Sequence, residues 1–191
     1  MKKFEKKIID VKNLKNLVDP DYLQKINLLF NKDIPKEPKT PDDLLLVRFA
    51  KLSESDIQKY FYQQIKILAI EASSKNKLHY LEAVKNDNGD AIVTKLSDTQ
   101  KKFFYMRKKA EGFKSGFPDL TILSYSATTN LRDTTYLEVK KINAPSSIGL
   151  TEDQFNWFVK LNNAGFDSYI TNNPIFFKNV ILKQIEKKLF L

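Results

Sequence analysis

Two short segments in which polar and apolar residues alternate constrain the fold of this chain more than any other feature. The first reads Gly-Phe-Pro-Asp-Leu-Thr-Ile-Leu at 116–123, and the second reads Thr-Tyr-Leu-Glu-Val-Lys-Lys at 135–141. Each predicts a strand, because β-branched, aromatic and apolar residues recur with a period near two. The polar segment 124–134 between them predicts a fairly long connecting loop. The pair therefore predicts two neighbouring strands, each of which carries an acidic residue.

Asp119 and Glu138 are these acidic residues, and Lys140 follows two positions after Glu138, on the same strand face. Pro118 holds the residue before it in extended geometry and cannot donate to a sheet, so we expect Asp119 near the start of its strand. Two carboxylates and the Val139 carbonyl are the hard oxygen ligands that magnesium prefers. The amine would position or activate a water, or neutralise charge on a phosphate. The combination predicts a metal site for a phosphodiester, although each part alone is more often a turn or a solvated strand face.

The composition narrows the chemistry that is available. Among 191 residues, 32 Lys and Arg exceed 23 Asp and Glu, which gives a net charge of +9. This surplus favours a polyanionic partner, although excess lysine often only improves solubility. The absence of cysteine excludes disulfides, thiol nucleophiles and cysteine zinc sites. One histidine, His79, cannot build a two-histidine metal site, and its position in a strand favours a structural role. Catalysis must therefore rely on carboxylates, lysines and a bound metal.

The sequence contains no candidate membrane span or secretory signal. Its first residues are rich in lysine with no apolar run behind them, and no segment approaches the roughly 20 apolar residues that span a bilayer. We therefore expect a cytoplasmic protein with no membrane partner.

A proline-rich segment at 33–41 divides the chain and predicts a linker. We place the boundary after residue 45, so that 1–45 form a helical N-terminal extension and 46–191 form the main domain. In the extension, apolar residues at helical spacing predict two helices, one near 14–18 and one that begins at Asp19-Pro20 and continues to about residue 30.

The order predicted after the linker is α, β, α, β, β, α, β, α. The first of these helices begins at Ser53, whose spacing from Asp56 fits a capping box. The predicted elements that follow are a strand at 79–84, a basic helix at 97–110, the two strands above, a helix at 152–161, a strand at 167–171 and a terminal helix from 174. This order favours an α/β fold with a mixed sheet flanked by helices.

Four motifs in this order resemble the PD-(D/E)XK nuclease superfamily, and within it the VRR-NUC type. They are Glu-x-x-Ile-Gln at 54–58, Gly-x-x-x-Gly-x-Pro-Asp-Leu at 112–120, Leu-Glu-Val-Lys at 137–140 and Leu-Thr-x-x-Gln at 150–154. The resemblance covers roughly residues 51–173. It implies a restriction-endonuclease-like αβββαβ core with a mixed central sheet flanked by helices, here preceded by the helical N-terminal extension.

The resemblance also implies a role for each matched position. Asp119, Glu138 and the Val139 carbonyl would bind Mg²⁺, for which Mn²⁺ would substitute, and Glu54 would approach the metal directly or through water. Lys140 would be the catalytic lysine. The implied catalytic set is completed by a glutamine that contacts the site or orients the lysine, which gives Glu54, Asp119, Glu138, Lys140 and Gln154.

Several of these positions have a structural alternative. Glu54 also suits the first turn of any helix, where the helix dipole favours a carboxylate. Gln58 is less certain, since a glutamine on a helix is usually exposed. Phe155, Trp157 and Phe158 are more simply core residues than base-stacking residues.

Basic residues near the first of the two strands predict contacts with phosphates, and a solvated helix face is an equal alternative. Such contacts set affinity and register without reading sequence. No base-reading module is evident, so we expect recognition of DNA structure rather than of sequence. The predicted nucleic-acid-binding residues are Lys101, Lys102, Arg107, Lys108, Lys109 and Lys141.

Together these features predict a Mg²⁺-dependent deoxyribonuclease, an endonuclease that acts on branched, flapped or junction DNA. Compact chains of this kind resemble nucleases of viruses and mobile elements, some of which act as dimers, so a homodimer is a further expectation. The alternatives are a non-catalytic nucleic-acid-binding protein of the same fold and a basic interaction protein whose acidic residues are surface features.

Overall fold

The computed structural model describes residues 9, 19–75, 79–86, 97, 116–142 and 149–190, and the structural statements below concern these residues. The predicted helices near 14–18 and 97–110 lie outside the described residues, apart from Ser97. The described elements, in chain order, are α1 Pro20–Leu23, β1 Ile26–Asn27, a 3₁₀ helix Asn31–Asp33, α2 Pro41–Phe49, α3 Glu54–Lys75, β2 Tyr80–Lys85, β3 Leu120–Ser126, β4 Leu131–Val139, α4 Glu152–Asn163, β5 Asp167–Thr171, α5 Pro174–Phe176, a π-helical segment Phe177–Leu182 and α6 Lys183–Phe190.

The strands form one mixed five-stranded sheet in the order β1-β5-β4-β3-β2. β3 pairs antiparallel with both β2 and β4, whereas β5 pairs parallel with both β4 and β1. The order α3-β2-β3-β4-α4-β5 is the αβββαβ order, so the predicted α/β core with a mixed sheet flanked by helices is confirmed. The described helices and strands of this core begin within four residues of their predicted starts; β3 starts four residues later than predicted and β4 four residues earlier.

α3 and the C-terminal helices cover one face of the sheet. Ser53 caps α3, since its Oγ accepts a hydrogen bond from the Asp56 backbone N–H at 3.2 Å. The rings of Phe61 and Phe177 stack at 4.1 Å between centroids. They belong to a core with Leu120, Ile122, Leu137 and Val139 from the inner strands. Burial of this face fixes β3 and β4 against α3.

α4 covers the β5 side of the opposite face. The Thr151 side chain accepts from the Gln154 backbone N–H, and the Gln154 side chain accepts from the Thr151 N–H, which forms a capping box. Phe155 and Phe158 are buried against Ile170, which confirms their interpretation as core residues. Trp157 is half-buried.

The predicted loop at 124–134 is too long. β3 continues to Ser126 and β4 starts at Leu131, so only residues 127–130 form the turn, in which Asn130 has φ +54°. Tyr125 pairs with Arg132 in the ladder. These residues lie on an exposed sheet face, where a strand tolerates polar side chains that otherwise indicate a loop.

The second predicted helix of the extension begins as expected but is much shorter. Asp19 accepts a hydrogen bond from the Asp21 N–H, and Pro20 occupies the first turn of α1. The helix ends at Leu23, and the prediction of helix through residue 30 is wrong. Ile26–Asn27 instead form β1, parallel to β5.

Tertiary contacts explain why Ile26–Asn27 form a strand instead of continuing the helix. Without β1, strand β5 would be an unpaired sheet edge, and a paired edge is more stable than an open one. The Ile170 N–H donates to the Lys25 carbonyl at 3.1 Å. The buried Asn172 side chain accepts from the Leu29 N–H at 2.7 Å and donates to the Leu29 carbonyl at 3.0 Å. These bonds hold the segment extended despite its helical pattern of apolar residues.

The predicted boundary after residue 45 lies within α2, which begins at Pro41 with Thr40 as its cap. Ile34 and Leu45 both pack on the main core. The division into 1–45 and 46–191 stays a prediction. Within the described ranges, no helix is long and apolar enough to cross a membrane.

An ion-pair cluster joins the beginning of β5 to α6. Asp167 accepts from Lys25 at 2.8 Å and from Lys188 at 2.7 Å, and Lys188 also contacts Asp133 at 2.7 Å. The Gln184 side chain donates to Asp167 as well. Burial alone would raise the pKa of Asp167, but the hydrogen bonds and charges of the two lysines outweigh it, so the pKa is lowered.

This cluster predicts an acid-sensitive contribution to stability. Because the folded pKa of Asp167 lies below its unfolded value of about 3.9, the contribution is present above that value and is lost as pH falls through the folded pKa. We expect Asp167→Asn to lower the free energy of unfolding at pH 7 and to change it much less at pH 3. Urea unfolding at both pH values measures the difference. Glu37→Gln, at an exposed position in the proline-rich segment, is the control, and an equal loss for Asp167→Asn at both pH values would contradict the assignment.

Candidate active site

The acidic motif residues meet at one edge of the sheet. β3 begins where β4 ends, since Leu120 pairs with Leu137, so Asp119 lies beside Glu138. The N-terminus of α4 brings Gln154 to the same edge. The first turn of α3 contributes Glu54 and Gln58, which interact with Asp119. The structure thus brings together all five residues of the implied catalytic set.

Glu138 is buried between a lysine and a glutamine. Its Oε1 accepts from Lys140 Nζ at 2.6 Å, and the side chains of both residues are only 4% exposed. Gln154 Nε2 also donates to Glu138 Oε1, while Gln154 Oε1 accepts from the Thr151 N–H at 3.0 Å. The glutamine therefore contacts the carboxylate, and its capping contact fixes its orientation.

Asp119 is held by the strand beside it and by α3. Its Oδ2 accepts from the Val139 backbone N–H at 2.8 Å, and its carboxylate also interacts with the Gln58 side chain. Gln58 is buried. The general rule that glutamines on helices are exposed therefore fails here, whereas the match of Gln58 to the motif indicated a residue near the site. The Val139 side chain points to the other sheet face, into the core, as its alternation with Glu138 predicts.

The electrostatics of the site point to a missing positive charge. Desolvation raises the pKa of Asp119 to about 6. Desolvation, and then repulsion from Asp119, raise the pKa of Glu138. For Lys140, burial would lower the pKa, but Glu138 and Glu54 outweigh it and the pKa is raised. With all three carboxylates ionised, they and the ammonium would carry a net charge of −2 (3 negative, 1 positive), and the raised pKa values of Asp119 and Glu138 reflect the cost of that state without a further cation.

The donor set fits magnesium in part. Glu138 Oε2 is buried and has no hydrogen-bond partner among the described residues, and such an orphaned carboxylate oxygen suits a cation. Asp119 supplies a further carboxylate, whose Oδ2 lies 2.8 Å from the Val139 backbone N. Within the described ranges, however, no three His, Cys, Asp or Glu side chains are gathered closely enough to hold a metal ion by themselves. Glu54, which is half-buried, therefore acts on the carboxylates through its charge in this structure.

Asn86, which follows β2, also contacts the site. Its Nδ2 donates to the Pro118 carbonyl at 2.7 Å and to Thr121 Oγ1 at 2.9 Å. Its backbone N–H donates to the Asp119 carbonyl at 2.8 Å. Asn86 thus fixes the chain on both sides of Asp119. The only feature of the sequence that points to Asn86 is its position just after a predicted strand.

Gly116 joins the Asp119 segment to α4. It has φ +76°, and a Cβ at this position would lie 2.6 Å from the backbone of Asp153 and of Gln154. Only glycine combines this conformation with this close approach. Gly116 therefore sets the distance between the segment that carries Asp119 and the start of α4, which carries Gln154.

The remaining candidates lie apart from the carboxylates or outside the described residues. His79 is buried, accepts from the Ala127 N–H at 3.1 Å and packs edge-on against Phe190, which confirms its structural role. Lys141 is exposed beside the site. The other predicted nucleic-acid contacts, Lys101, Lys102, Arg107, Lys108 and Lys109, lie outside the described residues.

Removing the Asn86 side chain should loosen the Asp119 segment. Asn86→Ala deletes two hydrogen bonds and leaves the Pro118 carbonyl without this donor, so we expect the free energy of unfolding to fall by about 1–3 kcal/mol. Urea unfolding measures the change. Thr121→Val removes only the second bond and should cost less; an equal or larger loss for Thr121→Val would contradict the proposed anchoring of Pro118.

Comparison with known proteins agrees with this geometry. The family model of the VRR-NUC domain matches residues 62–173, which is more than half of the chain and includes Asp119, Glu138, Lys140 and Gln154. Glu54 and Gln58 precede the matched span. No curated protein and no solved structure matches the chain. The order of elements, the meeting of the motifs at one sheet edge and the family match lead to one conclusion: the chain belongs to the VRR-NUC family, in agreement with its resemblance to the PD-(D/E)XK superfamily.

Proposed function

We propose that this protein is a metal-dependent deoxyribonuclease that hydrolyses phosphodiester bonds at the edge formed by β3 and β4. VRR-NUC membership indicates a nuclease. The observation that carries the finer proposal is the buried Glu138 carboxylate, held by Lys140 and Gln154 through one oxygen while the other has no partner among the described residues.

Asp119, Glu138 and the Val139 carbonyl would hold Mg²⁺ or Mn²⁺, with Glu54 nearby. When bound, such an ion polarises a phosphate oxygen and lowers the pKa of water. Gln154 orients Glu138, and the Val139 N–H and Gln58 orient Asp119. The ligands are therefore fixed in place before the ion arrives.

Lys140 acts as a charged donor. Its raised pKa keeps the amine protonated at neutral pH, so it serves poorly as a base. Its ammonium neutralises the charge that develops on the phosphate oxygens as the bond to the leaving group breaks. Of the two roles open to this lysine, charge neutralisation is the one that its surroundings favour.

The basic residues predicted near the site would contact DNA through its phosphates rather than through its bases. Lys141, beside the site, would contact the DNA backbone, as would the predicted basic residues at 101, 102 and 107–109. Such contacts carry no sequence information. We therefore propose an endonuclease for branched, flapped or junction DNA, and a homodimer remains part of this proposal. The 4% exposure of the Lys140 side chain favours one alternative, a non-catalytic nucleic-acid-binding protein of the same fold, because a buried amine is shielded from a phosphate.

Cation binding should raise thermal stability. A ligand at 100 times its dissociation constant stabilises the folded state by about 2.7 kcal/mol, which corresponds to a rise of several degrees for a chain of this size. We expect Mg²⁺ or Mn²⁺ to raise the melting temperature of the metal-free protein, and Asp119→Asn and Glu138→Gln to abolish the rise. Differential scanning fluorimetry measures this.

The same rise should depend on pH. The raised pKa of Asp119, about 6, means that the metal-free protein loses stability as pH increases through that value, while protons compete with the cation below it. The rise should therefore be larger at pH 8 than at pH 5. Glu71→Gln, exposed on α3, should behave as the wild type; an identical rise in Asp119→Asn would remove Asp119 from the ligand set.

Cleavage assays test the catalytic proposal directly. Linear duplex, single-stranded, flapped and four-way DNA are incubated with Mg²⁺, Mn²⁺ or Ca²⁺. We expect Glu138→Gln and Lys140→Ala to lower the cleavage rate by about 100-fold or more. Lys66→Ala and Glu71→Gln, both exposed on α3, should stay within about twofold of the wild type.

Each negative result has a separate meaning. If the wild type binds DNA but cuts none of these substrates with any of the metals, the non-catalytic alternative is correct. If the wild type cuts and Lys140→Ala cuts equally well, the activity stands and the site is elsewhere.

A further inference from the structure

The sheet face that carries Glu138 has an exposed half. α4 packs over β5, whereas large side chains from β2 and from the turn after α4 remain accessible: Tyr80 is 48% exposed and Phe166 is 40% exposed. Leu123 of β3 is also exposed between them. Neighbouring exposed apolar side chains commonly mark a binding site when they form one surface.

An open cleft lies on this half of the face, between the strands and the Gly165-Phe166 turn. Its volume is about 430 Å³. Its lining contains four aromatic or large apolar residues, Tyr80, Leu123, Tyr125 and Phe166, together with one cationic residue, Arg132, and one acidic residue, Asp133.

A row of aromatic rings connects the cleft to the catalytic edge. Trp157 contacts Phe117 at 5.1 Å between ring centroids, Phe117 contacts Tyr136 at 5.7 Å, and Tyr136 contacts Phe166 at 5.6 Å, all edge to face. Phe117 stands two positions before Asp119, and Phe166 lines the cleft. We call these four residues the aromatic row.

The direction of β4 places the cleft and the catalytic carboxylate on one surface. Arg132, Thr134, Tyr136 and Glu138 alternate with buried core positions and therefore share a face. Glu138 lies four positions after Thr134, which corresponds to about 13 Å along a strand. At about 3.4 Å per stacked nucleotide, this distance matches about four nucleotides.

The charges around the cleft favour a nucleic-acid backbone on the β4 side. The Arg132 guanidinium lies 5.9 Å from the centre of the Tyr125 ring and is exposed. The neighbouring Asp133 is paired with Lys188 on the other face. On β2, Glu82 accepts a hydrogen bond from Tyr80, and its negative charge directs phosphates away from that strand.

Aromatic faces favour unpaired bases. Successive bases stack on aromatic side chains regardless of sequence, whereas the faces of bases within a duplex are already covered by their neighbours. A protein partner would also bury apolar residues, but the aromatic row leads from the cleft to Phe117 beside the proposed catalytic edge, and the chain carries a net charge of +9. These observations favour single-stranded DNA as the occupant.

We propose that the cleft and the aromatic row bind unpaired nucleotides of the DNA strand that enters the catalytic site. The inference rests on the proposed deoxyribonuclease function and makes it more specific. The preferred substrate is then DNA that carries a single-stranded segment next to the scissile bond.

Binding without cleavage tests the proposal. Fluorescence anisotropy in EDTA compares a duplex that has a single-stranded tail with a blunt duplex of the same number of base pairs. Stacking is worth about 1–3 kcal/mol per base, and about 1.4 kcal/mol corresponds to a tenfold change in affinity. We expect the wild type to bind the tailed duplex at least about tenfold more tightly, and the Tyr80→Leu/Phe166→Leu variant to lose this preference while its affinity for blunt duplex changes less than about twofold.

Matched substitutions separate stacking from general apolar contact. Tyr80→Phe and Phe166→Tyr keep the rings and should keep the preference for the tail, whereas leucine keeps apolar bulk without an aromatic face. Ile70→Ala, exposed on α3, is the control for surface truncation. Thermal melting checks that each variant is folded. Iododeoxyuridine in the tail should cross-link to the peptides that contain Tyr80, Tyr125 or Phe166.

Several results would overturn the inference. These are a wild type with no preference for the tail, a leucine variant that retains it, an equal loss for tailed and blunt DNA, and cross-links that map elsewhere. If sedimentation instead shows that the leucine substitutions dissociate a dimer while the preference persists, the face is an interface between two copies of this chain.

The outcome is independent of the cleavage assays. A ring-dependent preference in a protein that cuts no DNA supports the inference and rejects the nuclease proposal. Cleavage that depends on Glu138 and Lys140, together with no preference for the tailed duplex, supports the nuclease proposal and rejects the inference. A wild type that binds no DNA rejects both.

Discussion

The buried carboxylate of Glu138 is the group on which the candidate site depends. Burying a charge is costly unless it is paired. One oxygen is bound by Lys140 and Gln154, while the other has no partner among the described residues, and the neighbouring Asp119 adds repulsion. This arrangement contributes little to the stability of the fold, because an apolar side chain at position 138 would be buried at a lower cost in free energy. The described strands also bury Ser124, Ser126 and Thr135, but a carboxylate costs more to bury than a hydroxyl, which is why the proposed function assigns a cation to Glu138.

The surrounding structure supports this carboxylate pair through groups that take no part in the proposed chemistry. Asn86 anchors the chain around Asp119, and Gly116 permits the close approach of α4. Asn172 ties the N-terminal segment to the chain that follows Lys140, since its side chain also donates to the Lys141 carbonyl at 3.3 Å. The site is therefore positioned by rigid elements, which keeps its oxygens in a fixed geometry before a ligand binds.

Local signals predicted most of the described core. Capping at Ser53 and the alternation along 135–141 depend on residues a few positions apart, and the structure has that helix and that strand. The predictions failed where distant partners decided the conformation. Tyr125 and Arg132 extend the hairpin because they pair across it, and Ile26–Asn27 become a strand because β5 offers an open edge. Neither partner can be identified from local periodicity.

The sequence by itself determined that Glu138 and Lys140 share a strand face, because side chains alternate with a period of two, and it indicated Asp119 as their neighbour. Only the tertiary structure decided that Gln154 would bind Glu138 and that aromatic residues would connect the catalytic edge to a cleft. The physical reason is burial. The pKa of Asp119 rises because folding removes its carboxylate from water, and this depends on residues from several elements that are far apart in the chain.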